Sequence, residues 1–257
     1  MPNGSQTAKN GFRNEDDIVL KFNDWRNDED AMHWLRIMNY DLSKIESVRA
    51  IKISGKKTDV QVQVVITIKF KGAIGYENIQ IKLVSGKNGF NQIDKRWLRD
   101  YAKLWRIPDD VLELLKLYCG ESHPNIPGTR DSRRMFFDEM DPNDRIKIIS
   151  FFENNRFLIV SDIIRGRGAF SPEWILIVHK YDGIRWLLIP VNEAINFYGN
   201  QPVTINENGN LKIGKIGVQR KGGDGGHETA NMLQFKLDPI QLMEVFPERI
   251  VSTNWQR

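Results

Sequence analysis

Residues 58–84, TDVQVQVVITIKFKGAIGYENIQIKLV, are the stretch that decides the fold of this chain. In its first half apolar and polar residues alternate, and this period of two predicts a half-buried β-strand. The glycine-containing segment 71–76 predicts a turn, after which a second strand alternates in the same way. The turn folds the second strand back on the first. Asp59 is therefore expected near Gln80 and Lys82, which share one face of the second strand roughly 7 Å apart.

Asp59, Gln80 and Lys82 form a degenerate version of the pattern Asp…(Asp/Glu)-x-Lys that nucleases use. An aspartate binds a hard cation such as Mg²⁺, a second oxygen donor completes the ligands, and a lysine orients or deprotonates the attacking water. The pattern is short and by itself weak. An aspartate after a Gly-Lys-Lys turn is ordinarily a turn residue, and a Gln-x-Lys pair is ordinarily a solvated strand face. Both interpretations stay open on spacing alone.

The composition bounds the class of protein. With 257 residues, 40% of them hydrophobic, the chain suits one large domain or two small ones. The single cysteine, Cys119, excludes an intramolecular disulfide, fits a reducing, cytoplasmic compartment, and is expected to be a small buried residue. The N-terminus shows no apolar signal sequence, and no apolar run approaches a membrane span. A net charge of +4 permits a polyanionic partner without requiring one.

The remaining elements follow from periodicity and capping residues. Helices are predicted at 14–25, 29–38, 92–105, 109–118, 141–154 and 191–198. Strands are predicted at 48–53, 157–163, 174–180 and 184–190, with short strands and turns at 201–215. The sequence contains no internal repeat, and the loop 120–132 is the best candidate for a domain boundary.

The predicted helix at 92–105 carries a basic face, formed by Lys95, Arg96, Arg99 and Lys103. A solvated helix face and contact with a phosphate backbone explain these charges equally well. Position supports phosphate contact, because the helix follows closely on the strand that contains Lys82.

A second polar constellation lies at 217–237, GVQRKGGDGGHETANMLQFKL. Its glycines let a backbone approach a ligand closely or adopt positive φ. Around them are side chains of the types that read base edges in DNA: Gln219, Arg220, Lys221, Asp224, Thr229 and Asn231. A mobile glycine hairpin between strands is the alternative. Arg165 and Arg167, in the stretch RGRG, belong likewise either to a flexible basic loop or to a phosphate clamp.

Other catalytic patterns are missing from the sequence. The four histidines lack metal-ligand spacing. The stretch GGDGGH has neither P-loop nor dinucleotide-binding spacing. Cys119 and His123 lie one helical turn apart, which makes them neighbours without making them a catalytic pair. The nuclease pattern therefore remains as the catalytic hypothesis.

Several stretches together resemble a known family: GFNQIDK at 89–95, RRMF at 133–136, RGRG at 165–168, and QRKGGD and TANMLQFK within 219–236. They are similar to the type II restriction endonucleases of the Hin-P-one kind, PD-(D/E)xK nucleases that cut the palindrome GCGC. The resemblance runs from about residue 9 to residue 239. It implies an α/β, restriction-endonuclease-like fold with a mixed central β-sheet flanked by helices. It also implies Mg²⁺-dependent hydrolysis of both DNA strands, leaving 5′-phosphate and 3′-hydroxyl ends.

The resemblance also assigns roles to individual residues. Asp59 and Gln80 would bind the metal, Lys82 would be the catalytic lysine, and Glu15 would act through a metal-bound water. Phe90 and Gln92 lie where the family places a minor-groove wedge, and packing of Phe90 in the core is the alternative. The residues implied to bind DNA are Phe90, Asn91, Gln92, Lys95, Arg165, Arg167, Gln219, Arg220, Lys221, Asp224, Thr229 and Asn231.

These interpretations predict a single restriction-endonuclease domain at 1–257, with a catalytic part at about 12–118 and a DNA-recognition part at about 133–239. Double-stranded DNA is the expected partner, together with a cognate DNA methyltransferase of the same restriction–modification system. Two rival functions remain: a non-catalytic DNA-binding protein, in which Gln80 marks a lost acid, and a repair nickase. The presence of both Asp59 and Lys82 favours catalysis, because an abandoned site would have no reason to keep them.

Overall fold

The computed structural model describes residues 4–57, 59–68, 71–87, 89–223 and 227–255. The chain divides into two compact units. The first comprises Met1–Gly89, Arg165–Ala194 and Asp238–Arg257, and the second comprises Phe90–Ile164 and Ile195–Leu237. The single domain with its two functional parts stays a prediction. No helix within the described ranges is long and apolar enough to cross a membrane.

Secondary structure elements are numbered in chain order over the described residues. The helices are α1 (Gly4–Asn23), α2 (Glu29–Ile37), α3 (Leu98–Trp105), α4 (Asp109–Cys119), α5 (Pro142–Asn154), α6 (Arg156–Ile164), α7 (Val191–Gly199) and α8 (Ile240–Val245). The strands are β1 (Ile45–Lys52), β2 (Val60–Ile68), β3 (Lys71–Val84), β4 (Asn91–Arg96), β5 (Trp174–His179), β6 (Ile184–Pro190), β7 (Thr204–Ile205), β8 (Leu211–Ile213), β9 (Ile216–Arg220), β10 (Leu233–Leu237) and β11 (Val251–Thr253).

The first unit is built on a mixed sheet. Its strand order, among the described residues, is β1-β2-β3-β5-β6-β11. The pairing of β3 with β5 is parallel, whereas β1 with β2, β2 with β3, β5 with β6, and β6 with β11 are antiparallel. Helix α1 packs against β1, β2 and β3, and helix α2 packs against β6. A sheet of this kind, with helices against it, is the architecture that the sequence predicted.

Aromatic residues form the core between the first two helices and this sheet. The ring of Trp34 lies 5.1 Å from that of Phe22 and 5.6 Å from that of Trp186, measured between centroids. The buried carboxylate of Asp30 accepts hydrogen bonds from the indole N–H groups of Trp186 at 2.7 Å and Trp255 at 2.8 Å. Asp30 therefore links α2 to β6 and to the segment after β11, because a buried acid must find donors.

The second unit contains an antiparallel sheet. Over the residues described, its strand order is β4-β10-β9-β8-β7. Tyr101 and Trp105 of α3 stack at 4.6 Å, and both rings meet the edge or face of Phe235 in β10, at 5.2 and 5.7 Å. The indole N–H of Trp105 donates to Asp162 of α6 at 3.1 Å. These contacts cover one face of β10 and leave its other face for polar side chains.

Two predictions along 71–105 are wrong. Residues 71–76 are the beginning of β3 instead of a turn, and residues 69–70, between β2 and β3, lie outside the described residues. Residues 91–96 are the strand β4 instead of the first turns of a helix, and the helix begins only at Leu98. The reason is tertiary: β4 pairs with β10, far away in sequence, and this pairing overrides the local helical spacing.

The predicted strand at 157–163 is also wrong, since these residues belong to helix α6. The segment is apolar on most sides, and its buried residues include Ile159, Val160 and Ile163. A short apolar run of this kind fits a buried strand or a buried helix equally well by periodicity. Cys119 is buried as expected, and burial raises the pKa of its thiol, which makes it unreactive.

Candidate active site

The antiparallel pairing of β2 with β3 brings Asp59 beside Gln80. Val60 lies opposite Ile79 in the register of the two strands. The backbone N–H of Asp59 donates to the carbonyl of Ile79 at 2.9 Å. Its carboxylate Oδ2 accepts from the backbone N–H of Ile81 at 2.6 Å. The two bonds flank Gln80, so the geometry joins the acid and the amide that the sequence pattern paired.

Gln80 is buried, with only 3% of its surface exposed, so a solvated strand face is the wrong interpretation of this residue. Its side-chain Nε2 donates to the backbone carbonyl of Lys57 at 3.3 Å. Its Oε1 is buried as well and has no hydrogen-bond partner among the described residues. Leaving a buried acceptor unsatisfied costs about 1–3 kcal/mol. A cation or a donor that reached this oxygen would remove the penalty.

The carboxylate of Asp59 is half-buried and lies among positive charges. Burial raises its pKa above the ordinary value, while the charge of Lys82, the N–H of Ile81 and the charge of Lys57 oppose the rise. Lys82 therefore interacts with the carboxylate through its charge. An ionised acid that has lost its hydration is stabilised by any further cation placed next to it.

Glu15 lies on α1 and belongs to the same electrostatic group. Burial raises the pKa of its carboxyl, and the charge of Asp59 raises it further. The Nζ of Lys52, on β1, lies 3.3 Å from the Oε2 of Glu15 and 3.0 Å from the Oδ1 of Asp16. Glu15 and Asp59 thus repel one another, and Lys52 partly offsets that repulsion.

Phe90 begins the second unit and is exposed over 71% of its surface. Packing of Phe90 in the core, the alternative considered from the sequence, is therefore wrong. The predicted basic helix face is also not formed, because Lys95 and Arg96 belong to β4. Arg96 is paired with Asp94, with 3.0 Å between Nε and Oδ1. The residues left in β4 as candidates for DNA contact are Asn91, Gln92 and Lys95.

Polar side chains from three adjacent strands occupy one face of the second sheet. Gln234 of β10 lies opposite Lys95 of β4 and Gln219 of β9. In the next row, Lys236 of β10 lies opposite Gln92 of β4. The sequence analysis did not single out Lys236, and Gln234, which belongs to the polar constellation at 217–237, is buried, with 5% of its surface exposed. The signal was present in the alternation of LQFKL, whose apolar members are buried: Leu233, Phe235 and Leu237.

Arg220, at the end of β9, is held in place by Asn231. Its Nε and Nη2 donate to the Oδ1 of Asn231 at 3.2 and 2.6 Å. The Nδ2 of Asn231 donates in turn to the carbonyl of Gly120 at 3.0 Å. Burial lowers the pKa of Arg220, and the positive charges of Arg134 and Arg133 lower it further. Three arginines close together favour an anionic or electron-rich ligand.

A cavity of about 330 Å³ opens beside Arg220. Gly222 and Gly223 follow with φ values of 63° and 76°, in the left-handed region that favours glycine. Asp224 lies outside the described residues. Of the predicted DNA-binding residues nearby, Lys221 is half-buried and Thr229 is exposed.

A sequence profile described as R.HinP1I restriction endonuclease matches residues 38–243, which is most of the chain. The chain belongs to this family. The R.HinP1I family membership confirms the resemblance seen in the short motifs and identifies the protein as a type II site-specific deoxyribonuclease that binds DNA. No curated protein matches the chain in a direct sequence comparison.

The structure of this R.HinP1I family member is similar to a solved crystal structure, that of the restriction endonuclease MspI in complex with its cognate DNA. The TM-score is 0.60 at 14% sequence identity, and the match covers 92% of this chain and 93% of that chain. A likeness at this level of identity concerns the fold, and it confirms the predicted restriction-endonuclease-like fold.

Restriction endonucleases of this kind generally use divalent metal ions, and the R.HinP1I-type site of this chain fits such an ion. The carboxylate of Asp59 and the unpartnered Oε1 of Gln80 are both hard oxygen donors. Within the described ranges, no group of three or more His, Cys, Asp or Glu side chains is arranged to hold a metal ion. The donors therefore fit an ion that takes few protein ligands and completes its shell with water and phosphate.

Arg165 and Arg167 lie in the first unit, in the loop between α6 and β5. The Nε of Arg165 is buried and has no hydrogen-bond partner in the described part of the chain. Gly166 has a φ of 71°, and a Cβ at this position would lie 2.8 Å from the Cγ of Lys57. The loop with both arginines therefore packs directly on the segment that leads into Asp59.

Proposed function

We propose that this enzyme uses Mg²⁺ to hydrolyse double-stranded DNA at the palindrome GCGC, leaving 5′-phosphate and 3′-hydroxyl ends. The observation that carries the proposal is the buried Oε1 of Gln80, which has no hydrogen-bond partner among the described residues, on the strand that also binds the half-buried carboxylate of Asp59 through the N–H of Ile81. Removing the amide oxygen of Gln80 and the carboxylate of Asp59 from water costs free energy, and a cation bound by both would offset that cost. The target GCGC rests on the resemblance of the sequence motifs to enzymes that cut it.

In this proposal each polar group of the first unit has a part in phosphodiester hydrolysis. Asp59 and Gln80 hold the ion. When bound, Mg²⁺ makes water a better nucleophile and offsets the negative charge of the phosphate. Lys82 orients the attacking water and stabilises the charge that develops on the phosphate oxygens. Glu15 accepts a hydrogen bond from a water at the site, and Lys52 holds the Glu15 carboxylate in position.

We assign base reading to the polar face of the second sheet and to Arg220. A major groove admits a pair of β-strands, and a G·C target requires donors for guanine O6 and N7 and acceptors for cytosine N4. Arginine and lysine side chains supply the donors. Glutamine side chains and Asp224 supply the acceptors. The residues assigned to this role are Gln92, Lys95, Gln219, Arg220, Lys221, Asp224, Thr229 and Lys236.

Asn231 has a different part in the same surface. Both polar groups of its side chain are engaged inside the protein, by Arg220 and by the carbonyl of Gly120. Asn231 therefore contributes to DNA recognition by orienting the guanidinium of Arg220, which leaves the Nη1 edge of that group for a base or a phosphate.

Phe90 is proposed to insert between base steps from the minor groove. An aromatic ring exposed over 71% of its surface is free to stack against a base, and unstacking a base step costs only a few kcal/mol. Asn91 and Gln92 follow Phe90 directly and are placed to contact the edges of the opened bases. Arg165 and Arg167 are proposed to contact phosphates.

A cognate DNA methyltransferase is the functional partner that this activity requires. An enzyme that cuts a four-base-pair sequence would cut the DNA of its own cell at many places. A methyltransferase that modifies the same sequence removes those sites, and physical association of the two proteins is not needed for this protection.

The test is digestion of a plasmid of known sequence with Mg²⁺ and, in parallel, with EDTA. We expect fragments that end at every GCGC, with 5′-phosphates that allow direct ligation, and no cutting in EDTA or by Asp59→Asn. Cutting at a different sequence would refute the target and leave the chemistry intact. Cutting in EDTA would refute the metal-dependent mechanism.

A further inference from the structure

Asn78 is a buried asparagine on β3, two residues before Gln80, with 5% of its surface exposed. Its backbone N–H donates to the carboxylate of Glu173 at 2.9 Å, and its backbone carbonyl accepts from the N–H of Glu173 at 2.9 Å. Its side-chain Oδ1 accepts from the Nε2 of Gln61, on β2, at 2.9 Å. Asn78 thus ties β2, β3 and the residue before β5 together.

The side-chain Nδ2 of Asn78 reaches further, into the loop that carries the two arginines. It donates to the carbonyl of Ala169 at 3.4 Å and to that of Ser171 at 3.3 Å. An amide nitrogen has two hydrogens, so these two carbonyls use its whole donor capacity. The segment 165–171, called the arginine loop below, is therefore fastened to the catalytic strand by a side chain.

The beginning of the arginine loop lies against the segment that precedes Asp59. Gly166 packs on the side chain of Lys57, and the carbonyl of Lys57 accepts the hydrogen bond from Gln80. The loop therefore touches two segments that hold the proposed metal ligands: the one before Asp59 and the strand before Gln80. Both attachments fix the position of the loop relative to the proposed metal ligands.

We propose that Asn78 is a positioning residue, which fixes the arginine loop against the catalytic strand so that Arg165 and Arg167 contact DNA phosphates beside the bond that is cut. The proposal rests on the proposed function in one respect, that the substrate is duplex DNA. Arg165 is half-buried and Arg167 is exposed, so the loop presents both side chains at a surface that a phosphate can reach, which supports the proposal.

The variant Asn78→Asp tests the proposal with the smallest change in shape. It keeps Oδ1 as the acceptor for Gln61, and it replaces Nδ2 by an oxygen that repels the carbonyls of Ala169 and Ser171. Affinity for a GCGC duplex is measured in EDTA over a series of KCl concentrations. We expect weaker binding and a salt dependence whose slope falls by about 1 for each phosphate that the variant no longer binds.

A comparison with the arginines themselves makes the test specific. The double variant Arg165→Ala/Arg167→Ala is expected to lose as much affinity and as much slope as Asn78→Asp. The triple variant Asn78→Asp/Arg165→Ala/Arg167→Ala is expected to bind no more weakly than the double variant. The reason is that Asn78→Asp and the loss of the two arginines remove the same phosphate contacts. Additive losses in the triple variant would overturn the proposal.

Asp30→Asn is the matched control for a purely structural effect. It alters a buried, multiply hydrogen-bonded residue of the same unit that has no contact with the arginine loop. We expect it to lower the melting temperature and to leave the salt slope unchanged. If Asn78→Asp behaves like Asp30→Asn in both measurements, Asn78 is structural only and the proposal is wrong.

A second variant covers the case in which Asn78→Asp does not fold. Gly166→Ala pushes the loop away from Lys57 without altering Asn78, and it must lower the salt slope as well. An unchanged slope in a folded Gly166→Ala protein would refute the proposal. Binding in EDTA does not depend on cleavage, so a chain that binds duplex DNA without cutting it would refute the proposed function alone.

Discussion

The carboxylate Oδ2 of Asp59 accepts a hydrogen bond from the backbone N–H of Ile81 at 2.6 Å. This bond joins the acid to the strand that carries Gln80 and Lys82, so the three residues are held by one rigid strand pair. Catalytic groups must be kept within roughly 0.5 Å of their working geometry, and regular strands do this better than loops. The acid precedes β2 by one residue and gains its precision from this bond.

We expect Asp59→Asn to stabilise the protein in EDTA at neutral pH. Burial raises the pKa of Asp59 in the folded protein, so the folded state holds the proton more tightly than the unfolded state. The stability associated with Asp59 is therefore complete below the unfolded pKa of about 3.9 and is lost as the pH rises through the folded pKa. Urea unfolding at several pH values should show a gain at neutral pH that disappears in acid.

The same variant separates stability from activity. Cleavage should fall by more than about 100-fold, since even the outer partners of metal ligands are typically worth about 10–100-fold. Addition of Mg²⁺ should raise the melting temperature of the wild type and leave that of Asp59→Asn almost unchanged. A variant that is less stable in EDTA at neutral pH, or that still responds to Mg²⁺, would contradict the assignment of Asp59.

We expect Gln80→Glu to destabilise the protein in EDTA and to regain stability when Mg²⁺ is added. The change places a second carboxylate beside Asp59 and removes the hydrogen bond to the carbonyl of Lys57, which is worth about 1 kcal/mol by itself. A divalent ion neutralises the added charge. Gln201→Glu, the same chemical change at an exposed position, serves as the control. Equal Mg²⁺ responses of both variants would argue against a metal site at Gln80.

Phe90→Ala is expected to reduce cleavage strongly while changing the free energy of unfolding by no more than about 0.5 kcal/mol, as for other surface positions. Its ring is exposed over 71% of its surface, so the folded protein loses little packing. A fluorescent base analogue next to the target reports base unstacking. The control is Ile74→Ala, which removes another exposed apolar side chain. Wild-type unstacking by Phe90→Ala would rule out the wedge.

Arg220→Ala and Asn231→Ala are expected to lose discrimination at the same base pair, by about 1–3 kcal/mol each. Asn231 acts by orienting Arg220, so the double variant should discriminate no worse than Arg220→Ala alone. Affinities for GCGC and for every single-base variant of it decide the matter. A loss that is uniform over all sequences, with a flatter salt dependence, would show a phosphate contact instead.

The catalytic hairpin was predictable from the sequence because its pattern is local. In a strand, alternate residues point to opposite faces, so spacing alone predicted that Gln80 and Lys82 share one face. The antiparallel pairing of β2 with β3 then places Asp59 beside Gln80 on the neighbouring strand. The predictions at 92–105 and 157–163 failed for the complementary reason. Whether residues 91–96 form a strand depends on pairing with β10, and whether 157–163 form a helix depends on how the segment is buried.

The sequence by itself determined the residue types of the site, the hairpin that gathers them and the family that they indicate. Only the tertiary structure decided which of their polar atoms are satisfied. Among the described residues, the carbonyl of Lys57 satisfies the Nε2 of Gln80 while no donor reaches its Oε1, and Asn231 is engaged because the carbonyl of Gly120 reaches it from another loop. Burial and hydrogen bonding depend on segments far apart in the chain, and no local pattern of residues encodes which of them will meet.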